Sequence, residues 1–561
     1  MVVASYRQTC YAYPSGGGAY VVSKENLGEK AALTAAAALL VDYVMTVAVS
    51  VVSGVVAIIS ALPVLAPYAV ELSAGFVVLL AVVNLRGVKE SGTAFAFPTY
   101  AFVGLTLLLL ASGVYRALHG GIPEAVSAHL ALTRTAQVGG VFTLLLCLRA
   151  FASGCTALTG VEAISNGVPA FQKPKSKNAA TTLVIMGALA ITMFSGITAL
   201  ALATHARAYG NGNPSVISQI AESVWGRGVL FYGFQAATAG ILVLAANTAF
   251  NGFPTLASIL ARDRYLPHQL HNRGDRLAFS NGIILLAGVS AALIIGFDAN
   301  IEKLIQLYIV GVFTSFTLSQ FGMVRHWRDE LGRADGGRRR SIRRSQLING
   351  TGAAVTALVL VIVVRYKFLA GAYLAIAAMV VIFFLMRGIR RHYESVAREL
   401  EPGPGGVLLP SRNHAVVLVS KLHAPTLLAL AYAKATRASH LVALTVAVNP
   451  EEERQLRRDW DQRGLDIPLT IVASPYREIT RPVLEYLATI RRDSPRDVIT
   501  VFIPEYVVGH WWEHLLHNQS ALRLKGRLLY QPGVMVTSVP YHLSSSRRSP
   551  LEERVTDTVG S

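Results

Sequence analysis

Two carboxylates stand inside otherwise apolar stretches of this chain. Asp42 lies within ALLVDYVMTVAVS at 38–50, a run with no other charge. In hydrocarbon a bare carboxylate costs about 3 kcal/mol or more unless it carries a proton or finds a partner. Asp42, Thr46 and Ser50 recur at every fourth residue, so a helix puts them on one face, with Tyr43 beside them. A stripe of carboxylate and hydroxyl oxygens is hard-ligand chemistry, suited to a desolvated monovalent cation. The other reading is that the hydroxyls bond back to their own helix and that Asp42, expected about one turn from the start of its span, merely caps it. The second carboxylate, Glu162, follows SGCTALTG at 153–160, where two glycines and two threonines weaken a helix near the middle of its span. Transporters bind substrate at such breaks, where freed carbonyls and half-helix dipoles face the ion. Thr156 and Thr159 are therefore candidate ligands, by hydroxyl or carbonyl, and Gly160 is the candidate hinge. Burial favours a carboxylate's protonated form whereas a bound cation favours the ionised form, so two buried carboxylates suit a device that moves one cation and one proton. A structural ion pair with a lysine is the alternative role for Glu162. Arg149 precedes the break by about 16 Å of helix and is expected to gate an outer vestibule or to snorkel to the headgroups.

These residues need long apolar elements to hold them, and the composition supplies such elements. Of 561 residues 53% are hydrophobic and 15% charged, and the mean hydropathy is +0.46, too apolar for a soluble chain of this size. The apolar residues gather into blocks long enough to cross about 30 Å of hydrocarbon, where backbone satisfaction makes them helices. Ten spans are predicted, near 33–60, 67–85, 96–116, 138–168, 180–204, 228–250, 279–297, 301–323, 349–365 and 368–387. One set of alternate loops carries Lys24, Lys30, Arg86, Lys89, Lys173, Lys175, Lys177, Arg262, Arg264, Arg273, Arg276 and the run from Arg325 to Arg344. The other set is nearly bare. The rich set is cytoplasmic by the positive-inside rule, and parity places the C-terminal tail there too. The net charge of +18 thus belongs to membrane topology rather than to nucleic acid. Cys10, Cys147 and Cys155 lie in or beside apolar stretches and are expected to pack, with no disulfide framework or metal cluster.

After Arg387 the composition changes. A charged linker at 391–410 leads to apolar runs at 414–420, 441–448, 468–474, 498–504 and 534–542, which alternate with helical patterns near 424–438, 450–463, 477–492 and 510–528. That alternation predicts a parallel sheet flanked by helices over 411–545, with a disordered tail at 546–561. No phosphate-binding Gly-Lys-Ser/Thr loop, HExxH, Gly-x-Ser-x-Gly or paired Cys-x-x-Cys occurs, and no enzyme is expected.

Four stretches together resemble the amino acid–polyamine–organocation superfamily, whose fold is two inverted five-helix repeats. They are YAYPSGGGAYV at 11–21, NLRGVKESG at 84–92, GVEAISNGVPAF at 160–171 and ANTAFNGFPTLASILARDRYLP at 246–267. Within it, ALLVDYVMTVAVS, SGCTALTGVEAISNG, RGDRLAFSNG at 273–282 and LYIVGVFTSFTLSQ at 307–320 are similar to the KimA family of potassium importers. The resemblance implies an all-α polytopic domain over 1–390 with a universal-stress-protein-like α/β domain behind it. It implies potassium uptake coupled to protons, with Asp42 and Glu162 as the ion and proton-coupling carboxylates. Thr46, Thr159 and Tyr308 would line the potassium site, and Tyr43 would gate it. The tail would pair two subunits in the bacterial cytoplasmic membrane and receive cyclic di-AMP, with Arg477, Arg491 and Arg492 as candidate phosphate contacts. Solvated helix faces are the plainer reading of those arginines. The nucleotide-binding Gly-x2-Gly-x9-Gly-Ser/Thr loop does not occur between Gly509 and Gly533, so tight ATP binding is not expected. The resemblance also implies that the first helix and most of the second lie upstream of Met1, through a late start codon or in a truncated gene. An amino-acid or amine permease, and a non-transporting sensor or remnant, are the competing functions.

Overall fold

A computed structural model describes residues 1–543 except 15, 17, 87–91, 131–146, 149, 152, 156–158, 210–211, 272–278, 402–408, 448, 475–477, 491, 495 and 508–519. Two compact units divide the chain, Met1–Leu400 and Glu401–Ser561.

The first unit is helical. In order it runs α1 (Val2–Ala12), α2 (Ala19–Asn26), α3 (Glu29–Ala61), α4 (Ala69–Leu85), α5 (Gly92–His119), α6 (Val161–Asn166), α7 (Lys175–Ala203), α8 (Val216–Trp225), α9 (Val229–Arg262), α10 (Ser280–Gly296), α11 (Ile301–Arg333), α12 (Gly336–Lys367) and α13 (Tyr373–Glu399). Among the described residues eight helices are long and apolar enough to cross a membrane, and the shorter apolar helix α10 matches the predicted span at 279–297. The first part of the predicted span at 138–168, to residue 146, lies outside the described residues, as do 149, 152 and 156–158. The helix α13 continues to Glu399, so the first part of the stretch read as a linker is helical. Of the cysteines, Cys10 and Cys155 are buried, while Cys147 is exposed rather than packed.

At the centre stand α3 and α11, the two spans with the most buried windows, 67% and 78%. Their sequences explain the closeness. The Ala35–Ala38 run on α3 leaves its backbone bare, and Gly311 on α11 fits against it so tightly that a Cβ there would stand 3.1 Å from the Ala38 carbonyl oxygen. Lipid gives helices no hydrophobic reason to associate, so small residues that let backbones approach are what pack them. The same device holds α9 to α3, where a Cβ on Gly54 would lie 3.5 Å from the Ala239 carbonyl oxygen.

The second unit is a five-stranded parallel sheet, β1 (Asn413–Leu418), β2 (His440–Ala447), β3 (Leu469–Ala473), β4 (Val498–Val507) and β5 (Val534–His542), in the order β3-β2-β1-β4-β5. Among the described residues four helices connect the strands: α14 (Ala424–Ala435), α15 (Pro450–Gln462), α16 (Thr480–Thr489) and α17 (Ser520–Leu528). Successive residues of β1 face opposite ways. Ala415 and Val417 enter one core with Ala429, Leu456 and Trp460, and Val416 enters the other with Val483, Leu487 and Leu524. Because helices cover both faces, the strands read as unbroken apolar runs.

Candidate functional site

On α3, Asp42 sits 13 residues from Glu29, the first residue of the helix, about 20 Å along the axis. It is therefore deep in the bundle rather than one turn from the start, and the helix N-cap is Gly28. Its Oδ1 is buried with no hydrogen-bond partner among the described residues. One turn on, Thr46 donates not to its own helix but to the Tyr308 hydroxyl of α11, at 3.1 Å. That hydroxyl also meets the side chain of Thr159, in the turn before α6. Tyr43 packs against α9, where a Cβ on Gly252 would come within 2.5 Å of its ring, and its hydroxyl accepts from Asn166 Nδ2 at 3.4 Å. Ser50 lies two turns beyond Asp42 and is half-buried; among the described residues it makes no hydrogen bond to this group.

The other carboxylate is held from two sides. Gly160 takes φ 88°, a left-handed conformation that glycine adopts without the Cβ penalty, and it turns the chain into α6. Glu162 follows in the first turn, 6% exposed. Its Oε1 accepts the Ala19 backbone N–H at 3.1 Å and its Oε2 accepts the Ser315 hydroxyl at 2.6 Å. Ala19 opens α2, whose N-cap is Gly18 and which has no side-chain cap from its own segment. Glu162 therefore supplies, from 143 residues away, an anion to a helix N-terminus where free N–H groups and the helix dipole favour one. The glycines of the PSGGGAY turn permit this approach, since a Cβ on Gly16 would meet the Asn166 carbonyl oxygen at 3.1 Å. Among the described residues the contacts of Glu162 are the Ala19 N–H and the Ser315 hydroxyl, with no lysine beside them.

Asp42 and Glu162 lie near enough for their charges to interact, and both are enclosed. Two like charges in one dry site cannot both stay ionised without a compensating cation. Around them the lining is oxygen-rich: Thr46, Tyr308 and Ser315, and the wholly buried Tyr6, whose hydroxyl stands beside Ser319. Sequence reasoning missed Ser315, Ser319, Tyr6 and the Ala19 N–H. Tyr308, Ser315 and Ser319 recur at intervals of seven and four on α11, the same periodic signal that singled out Asp42, Thr46 and Ser50.

Comparison with known proteins shows the family. The amino acid permease family model matches residues 1–387, and the model described as the KimA potassium transporter C-terminal domain matches 411–541. The potassium transporter KimA of Bacillus subtilis (strain 168) is 41% identical over 556 residues, 96% of this chain and 87% of the relative. The chain belongs to the amino acid permease family, in its KimA branch. It is a multi-span membrane protein with a small parallel-sheet α/β domain behind the permease domain.

The permease domain thus brings together Asp42, Tyr43, Thr46, Thr159, Glu162 and Tyr308 around α3, α6 and α11. Thr156 and Arg149 lie outside the described residues, as do Arg477 and Arg491 in the KimA-type domain. Arg492 is placed, and it is exposed. Its Nη1 donates to the Pro532 carbonyl at 2.9 Å, just before β5 begins. Parallel α/β sheets take ligands at the carboxyl ends of their strands, where the order reverses, here between β1 and β4. Arg492 is at the opposite, amino end, tying the approach to β4 to the approach to β5.

Proposed function

We propose that this protein imports potassium across the bacterial cytoplasmic membrane, coupled to the inward movement of protons. The observation that carries the reading is the unpartnered, buried Asp42 Oδ1, next to the Thr46–Tyr308 pair and Thr159 in a bundle with no protein cation among the described residues to neutralise it. A desolvated monovalent cation needs oxygens to replace its water, and Asp42, Thr46, Tyr308 and Thr159 offer a carboxylate and three hydroxyls. Ser50 and Thr156 extend that set in the proposal. Glu162 takes the proton. While ionised it holds the α2 N-terminus and Ser315; once protonated it holds both more weakly, so loading a proton loosens the contact between α2, α6 and α11. Gly160 is the hinge, Tyr43 the gate against α9, and Arg149 a gate at the outer vestibule. No enzyme activity is assigned.

The tail is read as cytoplasmic, because the basic loops share its side by parity. Its likeness to the KimA C-terminal domain supports a role in pairing two subunits and in receiving cyclic di-AMP as a regulatory ligand. Expression together with any in-frame coding sequence upstream of Met1 should let a potassium-uptake-deficient bacterium grow at micromolar potassium, and Asp42→Ala should abolish that growth. Normal growth of the Asp42→Ala strain would remove the site assignment. Rescue of amino-acid auxotrophs in place of potassium-dependent growth would favour a permease for organic substrates, the activity suggested by the name of the family model matching residues 1–387.

A further inference from the structure

A groove of about 530 Å³ opens between the start of α3 and the far end of α11, away from the two carboxylates. Its floor is apolar. Leu27 and Ala31 form one wall, and Leu318, Phe321 and Val324 form the other. Its rim is basic, carrying Arg325 and Arg328. Leu318, Phe321, Arg325 and Arg328 follow at intervals of three, four and three, one face of α11, so a single stripe passes from apolar to cationic along the groove.

Three observations say what belongs there. The groove crosses the level at which both helices change character: α3 turns apolar at Ala31 after Glu29 and Lys30, and α11 turns charged at Arg325 after Val324. In a spanning helix that change marks the boundary between hydrocarbon and headgroups. Phe321 is 47% exposed, so the floor is open to whatever surrounds the bundle. Among the described residues neither Arg325 nor Arg328 makes an ion pair or a hydrogen bond, although carboxylates lie close by in the chain. Glu29, at the start of α3, is taken by Arg390 at 3.7 Å. Two uncompensated guanidinium groups above an apolar slot are complementary to an amphiphile with a phosphate head and an alkyl tail. Guanidinium forks suit phosphate oxygens, and basic clefts between helices at this level take anionic headgroups.

We propose that this groove is a binding site for an anionic phospholipid, with the phosphate on Arg325 and Arg328 and an acyl chain along Phe321, Leu318 and Ala31. A zwitterionic headgroup would set its own cation against the two arginines and is disfavoured. The test is thermal unfolding of the purified full-length protein titrated with short-chain phosphatidylglycerol, short-chain phosphatidylcholine or inorganic phosphate. Phosphatidylglycerol should raise the unfolding temperature saturably, and the other two should not. Arg325→Gln with Arg328→Gln should weaken that response about thirty-fold, roughly five-fold for each charge removed. Both arginines are exposed, so the variant should fold as the parent does. Leu318→Trp, which fills the slot and keeps both charges, should weaken the response as well. An equal response to phosphate would replace the lipid with a simple anion site and overturn the proposal. So would an undiminished response in the double arginine variant, which would leave these residues a topological role only. Absence of any response to phosphatidylglycerol would overturn it too.

Discussion

Replacing Glu162 with Gln separates the two tasks of the buried carboxylates. In the parent the two carboxylate oxygens each accept one hydrogen bond, from Ala19 N–H at 3.1 Å and from Ser315 at 2.6 Å. A glutamine side chain has one accepting oxygen, and its nitrogen only donates. The oxygen must face Ala19, whose N–H cannot turn, and the amide nitrogen then donates to Ser315, whose hydroxyl can. Both contacts survive as neutral bonds. Bonds to charged groups contribute about 1.5–3 kcal/mol and neutral ones about 1 kcal/mol, so the substitution should cost about 1–3 kcal/mol of stability. Ser315→Ala should cost a similar amount in the parent, because it leaves a buried charged oxygen without a donor, and clearly less in the Glu162→Gln background. With the shape kept, thermal-shift titration should show potassium binding retained, while uptake into proteoliposomes driven by an inward proton gradient should be lost. Loss of binding and transport together would make Glu162 a direct ligand. Undiminished proton-driven uptake would make it a structural residue, and the coupling site would lie elsewhere.

Three further outcomes are expected. Gly160→Ala meets open space but must hold φ 88°, so it should destabilise the permease domain by about 1–2 kcal/mol through backbone strain alone, and an unchanged unfolding temperature would show that the turn relaxes. In the KimA-type domain, burial and the stacked His440 ring, 5.0 Å away, hold the His414 imidazole below its usual range, with Arg412 acting the same way and Asp497 and Asp493 opposing it. The folded domain therefore favours neutral His414; that contribution is complete above the unfolded value near 6.5 and is lost as pH falls through the lower folded value. Hydrogen exchange in β1 and β2, corrected for intrinsic rates, should accelerate below about pH 6.5, and His414→Gln should flatten the profile; equal profiles would exclude His414 as the cause. The purified protein should be a dimer by light scattering and deleting residues 410–545 should yield monomers, whereas a truncated protein that stays dimeric would assign pairing to the membrane helices.

Much of this architecture was legible in the chain itself, for local reasons. Lipid leaves backbone groups no partner but their own helix, so apolar blocks become spans whatever surrounds them. In the tail, runs such as HAVVLVS and VITVFIP alternate with helical patterns, and the five strands lie within a few residues of the predicted runs. The chemistry-bearing residues of α3 were legible as well, because a carboxylate in an apolar run is conspicuous at any register.

What a carboxylate touches is decided otherwise. Nothing within four residues of Glu162 announces that its partners are a backbone N–H 143 residues earlier and a serine 153 residues later. Ser315 and Ser319 look alone like hydroxyls bonded back to their own helix, the usual fate of serine in a span. Their role depends on the rotation of α11 about its axis, which Gly311 sets by seating against the Ala38 carbonyl. The depth of Asp42 likewise depends on α3 starting at Glu29, where the Gly28 turn releases it, and not at the first apolar residue. Periodicity along one helix specifies a face. Which face meets which is settled only when small residues let particular backbones close on one another, and at that contact the two carboxylates of this chain become one site.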